Sequence, residues 1–312
     1  MVLATLVTHR RPLLSTCFVA VLLIDCAGRS GTALNTGAAG SISAGGGKTA
    51  AAIRNRSTDR TAAGSSRGTD GAVAPIGLRP NIAPGGNFDL SHWELQEPVG
   101  LPKTPTTIGP AVLAGPNGYQ DDYFFTDKTD GAMTFWAPEN GVTTANSRYP
   151  RSELRELNAD GTKANWPITG IHTLSATLAV TRVPDHVCVG QIHCGAPLQS
   201  GLTTTTKPLL ELYYYRNGDI KLGIENGPVG GQTSHYITNV RLGAKFSYEI
   251  QLAGNGNIEL SLDGKTHAFT MPSSLVGYGE YFKAGNYDQS AGGDSTVGAI
   301  VKFYALRVVH QP

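Results

Sequence analysis

The chain has 312 residues and a formal net charge of +1, but its two parts differ in charge. Nine Lys/Arg residues oppose three Asp/Glu residues through Asn81, whereas 16 Lys/Arg residues oppose 21 Asp/Glu residues from Ile82 onward. An acidic folded part argues against a nucleic-acid-binding protein. If this part binds a polyanion, its positive charge must be gathered locally in a groove.

Residues 1–27 have the layout of an export signal. A basic start precedes an apolar run from Leu13 to Ile24, and small residues follow at Ala27 and Gly28. The run is about half as long as the ~20 residues that span a bilayer. We therefore expect a secreted or periplasmic protein without a stable membrane span. A lipid anchor at Cys26 is the less favoured alternative, because Asp25 stands where a lipoprotein signal has a small residue.

Residues 28–84 are rich in Gly, Ala, Ser and Thr and contain almost no large apolar side chains. Such a segment cannot bury enough surface to offset the entropy lost on ordering. We predict that it is a disordered tether and that one folded domain spans residues 85–312.

The region from Phe88 onward has a dominant period of two. Residues 246–252 and 258–262 alternate apolar and polar side chains, which is typical of half-buried strands. Turn signals such as Asp263-Gly264 separate these segments, and no long stretch repeats its apolar residues every 3.6 positions. The pattern predicts an all-β sandwich or barrel.

The first of three polar segments is R-S-E-L-R-E, residues 151–156. On a strand, Arg151, Glu153 and Arg155 point to one face and Glu156 points to the other. Two cations around an acid suit an anionic ligand, because the acid can orient the guanidinium groups. Taken alone, the segment favours a solvated charged helix.

The other two segments show the same parity. Gln191 and His193 share one face of a predicted strand, where they could meet a bound ligand together. Between 281 and 289, the odd positions form a polar, aromatic and basic face: Tyr281, Lys283, Gly285, Tyr287 and Gln289. A glycine in the middle of this face predicts a place where a ligand approaches the backbone closely.

Two cysteines lie beyond the export signal, Cys188 and Cys194. The neighbouring His186 and His193 do not complete a recognised metal-ligand spacing with them. A regular strand would separate the cysteines by roughly 20 Å, whereas a disulfide needs Cα atoms within ~7 Å. We predict unbridged cysteines that face away from Gln191. A sharp reversal of the chain beside His193 is the alternative that would let them bridge.

Together the three segments resemble the alginate lyases of polysaccharide lyase family 7. That family carries R-S/T-E-L-R, Q-I/V-H and Y-F-K-A-G-x-Y-x-Q blocks in this order, and the resemblance extends to residues 88–93 and 135–151. It covers about residues 85–312. It implies a jelly-roll β-sandwich with a concave substrate-binding sheet, and we expect a monomer acting on an anionic polysaccharide.

The implied reaction is β-elimination in a chain of 1,4-linked uronates. The C5 proton is scarcely acidic until the adjacent carboxylate is neutralised, and a base and an acid must then move two protons. No metal or organic cofactor is needed. The resemblance implies that Arg151 and Gln191 bind and neutralise the substrate carboxylate, that His193 is the base and that Tyr287 is the acid. It leaves open whether Tyr287 also serves as the base for one of the two uronate epimers. It also places four further residues along the groove: Glu153, Arg155, Lys283 and Gln289.

The sequence is compatible with several alternatives. The substrate could be another polyuronate such as glucuronan, or the domain could be a non-catalytic carbohydrate-binding jelly roll. A glycoside hydrolase needs two carboxyl groups flanking one bond. Glu153 and Glu156 are the nearest such pair, but their odd spacing directs them to opposite faces of a strand. In the family that the chain resembles, an Ile at the position of Ile192 indicates guluronate-containing substrate only weakly, and endo versus exo cutting depends on loops.

Overall fold

The computed structural model describes residues 77–312, so the predicted export signal and residues 28–76 of the predicted tether lie outside it. The described part contains one four-residue helix, Pro110–Leu113, and one short 3-10 turn, Ser273–Leu275. None of its helices is long and apolar enough to cross a bilayer. The strands are β1 (Trp93–Leu101), β2 (Thr104–Ile108), β3 (Phe124–Thr126), β4 (Met133–Pro138), β5 (Arg151–Glu156), β6 (Ile171–Arg182), β7 (His186–Pro197), β8 (Pro208–Tyr215), β9 (Asp219–Glu225), β10 (Gln232–Asn239), β11 (Phe246–Ala253), β12 (Asn257–Leu262), β13 (Lys265–Thr270), β14 (Tyr278–Asp288) and β15 (Gly298–Gln311).

These strands form two antiparallel sheets. The eight-stranded sheet has the order β10-β9-β8-β7-β14-β5-β1-β2, and the seven-stranded sheet has the order β13-β12-β11-β6-β15-β4-β3. Strands that are neighbours in a sheet are often far apart in sequence, as β14 and β5 are. The predicted all-β sandwich is confirmed.

The apolar faces of both sheets meet in one hydrophobic core, whose burial supplies most of the driving force for folding. The sheets are also tied by polar contacts. The buried Tyr248 hydroxyl on β11 donates to the main-chain oxygen of Val189 on β7 at 3.0 Å. Side chains that reach the core from both sheets include Leu154, Ile192, Phe282, Leu178, Ile250 and Phe303.

The three polar segments lie side by side in the eight-stranded sheet, because β14 pairs with β7 on one edge and with β5 on the other. Lys283 is level with Gln191 on β7 and with Arg155 on β5. Tyr281 is level with His193. Paired residues share a face of a sheet, so the predicted parity brings all three segments to one surface. The charged-helix alternative for residues 151–156 is therefore wrong.

The structure gives a different reason for Gly285, which does not line the groove. Its φ is 145°, a conformation that L side chains rarely adopt. A Cβ atom there would lie 2.9 Å from the Cα atom of Glu153 and from the main-chain oxygen of Ser152. The glycine is needed because β14 approaches the backbone of β5 closely at this point.

A β-bulge in β7 changes which way one cysteine faces. The register with β8 shifts between Cys188 and Gly190, so the alternation of faces is interrupted there. Cys188 is level with Tyr287 and lies on the same face, whereas Cys194 packs into the core. The prediction that both cysteines face away from Gln191 is wrong for Cys188. Both are free and buried, which confirms that they are unbridged.

The folded region begins before the predicted boundary at residue 85. Ala83 is 1% exposed, and its amide donates to the main-chain oxygen of Pro116 at 2.9 Å. Leu78 packs against the hydrophobic core. The low apolar content of residues 28–84 as a whole hid the contacts made by its last residues.

Candidate active site

A groove of about 840 Å³ lies on the eight-stranded sheet, on the surface shared by the three polar segments. Its floor comes from β1, β5, β7, β8 and β14, and its walls include residues from segments 144–149 and 204–207. This volume is within the ~300–1,000 Å³ typical of ligand sites.

Seven of the eight residues predicted to form the site line this groove: Arg151, Arg155, Gln191, His193, Lys283, Tyr287 and Gln289. Glu153 is the exception. It is 1% exposed and lies beneath the lining, so its predicted position along the groove is corrected to one under the floor. A carboxylate surrounded by three donors is drawn to them rather than toward the space that an anionic ligand would occupy.

The groove gathers positive charge although the folded region is acidic overall. Six basic residues line it: Arg148, Arg151, Arg155, Lys163, Lys207 and Lys283. They are opposed by three acidic residues, Glu94, Glu211 and Glu225. This local excess of positive charge suits a polyanion, which an acidic folded region can bind only where positive charge is gathered in a groove.

Glu153 organises the centre of the groove. Its Oε2 accepts from Arg151 Nη1 at 3.1 Å and from Lys283 Nζ, and its Oε1 accepts from Gln191 Nε2. A buried carboxylate is costly unless it is paired and hydrogen-bonded, and here three donors satisfy it. Each donor is in turn held in one orientation by the carboxylate.

Lys283 is 6% exposed and lies in this cluster. Burial, together with the charge of Arg151, lowers its pKa to about 8, although the Glu153 carboxylate acts in the opposite direction. The ammonium group is therefore charged at neutral pH and loses its charge in mildly alkaline solution.

His193 is held as a neutral acceptor. Its Nδ1 lies 2.8 Å from the main-chain oxygen of Cys194, and a carbonyl oxygen can only accept, so Nδ1 carries the proton. The Nε2 atom then has a free lone pair. Burial and the positive charge of Lys283 lower the pKa of His193 to about 3. The ring stacks on Tyr281 with centroids 5.0 Å apart, and the Arg155 guanidinium lies 3.9 Å from the Tyr281 ring centroid.

Tyr287 is the protonated phenol of the groove. Its hydroxyl lies 3.1 Å from Ser147 Oγ, which also lies 2.8 Å from the main-chain oxygen of Tyr149. Either hydroxyl group can donate in the contact between Tyr287 and Ser147. Burial raises the pKa of Tyr287, which keeps the phenol protonated. Arg151 reaches both groups, with Nη2 3.2 Å from Ser147 Oγ and its guanidinium 3.7 Å from the Tyr287 ring centroid.

The two remaining residues at the edges of the groove make weaker contacts. Gln289 donates from Nε2 to the main-chain oxygen of Tyr287 at 3.2 Å. Arg155 lies 4.0 Å from Glu94 and donates to the main-chain oxygen of Glu156 at 3.1 Å. Both leave donors free for a bound ligand.

Several residues of the site were not among the predicted site residues, and three of them show why. Tyr281 has the right parity, and this was the signal that could have identified it. Ser147 lies in a loop, where no periodicity predicts its direction. Glu211 is 8% exposed on β8, a strand whose residues 208–214 are all buried, so its position on the groove face is invisible in the sequence. Burial raises its pKa.

An all-β sandwich with a cationic groove, a neutral imidazole acceptor and a protonated phenol defines a class: enzymes that act on polyanionic chains by acid–base chemistry. Residues 88–310 match the sequence model of one such family, described as alginate lyase. The chain is 30% identical to the alginate lyase of Klebsiella pneumoniae over 282 residues, which cover 73% of this chain and 91% of that protein.

Solved structures agree with this match. The family 7 alginate lyase A1-II′ in complex with substrate (GGMG) is 37% identical, with a TM-score of 0.64, and the match covers 74% of this chain and 98% of that chain. An alginate lyase from Pseudomonas aeruginosa is 33% identical, with a TM-score of 0.62 and coverage of 72% and 100%. The chain therefore belongs to the alginate lyases of polysaccharide lyase family 7, whose fold is a jelly-roll β-sandwich.

Proposed function

We propose that this chain cleaves the 1,4-linked uronates of alginate by β-elimination and releases unsaturated oligosaccharides. The observation that carries the proposal is the state of His193, a neutral imidazole with Nε2 free in a groove lined by six basic residues. The A1-II′ relative was solved with a substrate oligosaccharide, which supports alginate as the ligand of the corresponding groove.

The first requirement of the reaction is a neutralised uronate carboxylate. Removal of the C5 proton beside an ionised carboxylate would place two negative charges on the intermediate. Arg151 and Gln191 are positioned to bind this carboxylate, since Glu153 accepts one N–H of each side chain and leaves at least one further N–H of each available. Lys283 adds a buried positive charge at the same place.

The second requirement is a base and an acid in opposite protonation states. His193 Nε2 takes the proton from C5, and the electron pair of that bond forms the C4–C5 double bond as the C4–O bond breaks. Tyr287 gives its proton to the departing oxygen, and the Arg151 guanidinium stabilises the phenolate that remains. No atom is added to the sugar chain, so water is not consumed.

The competing activities are separated by the site geometry and by one assay. Glu156 lies on the opposite face of β5 from Glu153, so these two carboxyl groups cannot flank one glycosidic bond as a hydrolase requires. Elimination creates a conjugated double bond that absorbs ultraviolet light, whereas hydrolysis and simple binding do not. Incubation with alginate, polymannuronate, polyguluronate and glucuronan identifies both the reaction and the preferred uronate.

His193→Ala and Tyr287→Phe should each lower the rate of absorbance increase by about 10²–10⁴-fold, because each removes one proton-transfer group. His92→Ala and Tyr236→Phe are matched controls at exposed positions. Circular dichroism verifies that every variant is folded. Near-normal turnover in either groove variant would contradict the assigned mechanism.

The dependence of kcat/KM on pH should follow Lys283 on the alkaline side. Because its pKa is about 8, the ammonium loses its proton as pH rises through that value, and kcat/KM should fall. Lys283→Arg stays charged, so its profile should remain flat there even if its absolute rate is lower. On the acidic side, His193 is already neutral, so no loss of rate should centre near pH 6.5. An identical alkaline fall in both proteins would refute this assignment.

We also propose that residues 1–27 direct export, that the mature protein is a secreted or periplasmic monomer, and that a lipid at Cys26 is absent. The basis is the residue pattern alone. The intact mass of the protein recovered from the producing cells, with light scattering for the native mass, tests all three points. A retained N-terminus, a lipid adduct or a dimer mass would each contradict the corresponding part.

A further inference from the structure

Glu156 is the last residue of β5 and lies on the core side of the sheet, 4% exposed. The backbone pairing of β5 with β14 ends at Arg155 and Lys283. The next amide of β14 toward its start, that of Phe282, donates to Glu156 Oε2 at 2.8 Å. The carboxylate thus replaces the ladder acceptor that the backbone of β5 no longer provides.

This contact lies directly behind the reacting groups. Phe282 is flanked by Tyr281 and Lys283, which both line the groove. Tyr281 stacks on the base His193 and supports Arg155 from the other direction. Fixing the Phe282 amide therefore fixes the position of Tyr281 along β14. Because Tyr281 stacks on His193, this in turn fixes the plane of the His193 ring.

The same carboxylate reaches across to the seven-stranded sheet. Its Oε1 lies 2.5 Å from His310 Nε2 on β15, and His310 Nδ1 lies 2.7 Å from His172 Nδ1 on β6. His172 Nε2 lies 2.8 Å from the main-chain oxygen of Thr169. A continuous chain of polar contacts thus joins the two sheets behind the groove: Glu156, His310, His172 and the main-chain oxygen of Thr169.

Counting protons assigns the charges in this chain. The Thr169 oxygen only accepts, so His172 Nε2 carries a proton, and neutral His172 then accepts at Nδ1 from His310. The contact between His310 Nε2 and Glu156 requires one more proton. Burial lowers the pKa of His172, which keeps that residue neutral. An imidazole is a stronger base than a carboxylate, so we place this additional proton on His310 and leave Glu156 as a carboxylate.

The surroundings of the carboxylate agree with its ionised state. Trp166 Nε1 donates to Oε2 at 2.9 Å, and the indole stacks on His172 at 4.0 Å between centroids. On β5 itself, Arg155 donates to the main-chain oxygen of Glu156. On β14, Glu280 is fully buried, and burial raises its pKa to about 8, so it is neutral at pH 7.

We propose that Glu156, paired with a protonated His310, is a positioning residue for the elimination reaction: it holds the start of β14 so that Tyr281 fixes the catalytic plane of His193. This inference rests on the proposed function. Glu156 does not line the groove, so its effect on turnover passes through the groups that it contacts on the reverse side of the sheet, first of all the Phe282 amide.

Two substitutions of Glu156 separate positioning from simple stability. Glu156→Gln keeps an acceptor for Phe282 and Trp166 and offers an N–H to a neutral His310, so kcat should stay within about threefold of the parent protein. Glu156→Leu removes every acceptor, and kcat should fall by about 10–100-fold, since small misplacements of reacting groups are costly. KM should change much less than kcat. Glu259→Leu, at an exposed position on β12, is the control.

The kinetics are measured on the mature full-length protein at a temperature where circular dichroism shows each variant to be fully folded. A Leu variant that is destabilised but keeps normal kcat would reduce Glu156 to a structural role and overturn the proposal. Equal losses in the Gln and Leu variants would also overturn it, because the acceptor geometry would then be irrelevant.

Nitrogen NMR of the histidine rings provides a readout that is independent of activity. His310 should be protonated on both ring nitrogens at pH 7 in the parent protein and on Nδ1 alone in Glu156→Gln. A neutral His310 in the parent protein would contradict the charge assignment. If the parent protein forms no unsaturated product, the proposed function fails, while the ring-nitrogen signals still test the Glu156–His310 pair.

Discussion

A single buried carboxylate, Glu153, imposes the constraint on which the site depends. It lies beneath a groove suited to anionic sugars, where a negative charge on its own would repel the ligand. Glu153 is buried beneath Arg151, Gln191 and Lys283, whose donors offset the cost of burying its charge. The same three hydrogen bonds hold these side chains in fixed orientations. Preorganised donors stabilise developing charge without reorganising during the reaction, which is the usual source of large rate effects.

The sheet architecture makes this arrangement possible. Strand β14 lies between β5 and β7. Arg151 on β5, His193 on β7 and Tyr287 on β14 are therefore close together in the sheet although they are distant in sequence. The close approach at Gly285 brings the backbone of β14 against Glu153. On the reverse side of the same strands, Glu156 holds the end of the β5–β14 ladder. The two glutamates of β5 thus act on opposite faces of the sheet. Glu153 orients the side-chain donors of the groove, and Glu156 binds the backbone of β14.

Much of this could be predicted from residue parity. Alternation in the segments around Glu153, His193 and Tyr287 indicates strands and a common face, because the period of a strand is two. The resemblance to alginate lyases orders the blocks and assigns roles. The strand order that makes them neighbours follows from the family's fold and not from local patterns.

What could not be predicted depends on contacts that local patterns do not encode. The bulge in β7 places the Cys188 side chain on the opposite face of the sheet from the predicted one, and no local sequence pattern predicted this bulge. The role of Gly285 depends on the distance to another strand. Ser147 is placed by a loop, and the partners of Glu156 include His310, 154 positions away along the chain. Such long-range contacts are set by packing of the two sheets rather than by propensity.

The most direct test of this account is the kcat/KM of Glu153→Gln on alginate oligosaccharides. The substitution removes one negative charge from under an anionic ligand, so if charge alone mattered, binding and kcat/KM would improve. If Glu153 instead orients Arg151, Gln191 and Lys283, the weakened charge-assisted bonds should lower kcat/KM by about 10²-fold in a protein that remains folded. An unchanged or increased kcat/KM in the folded variant would contradict the central role of this carboxylate.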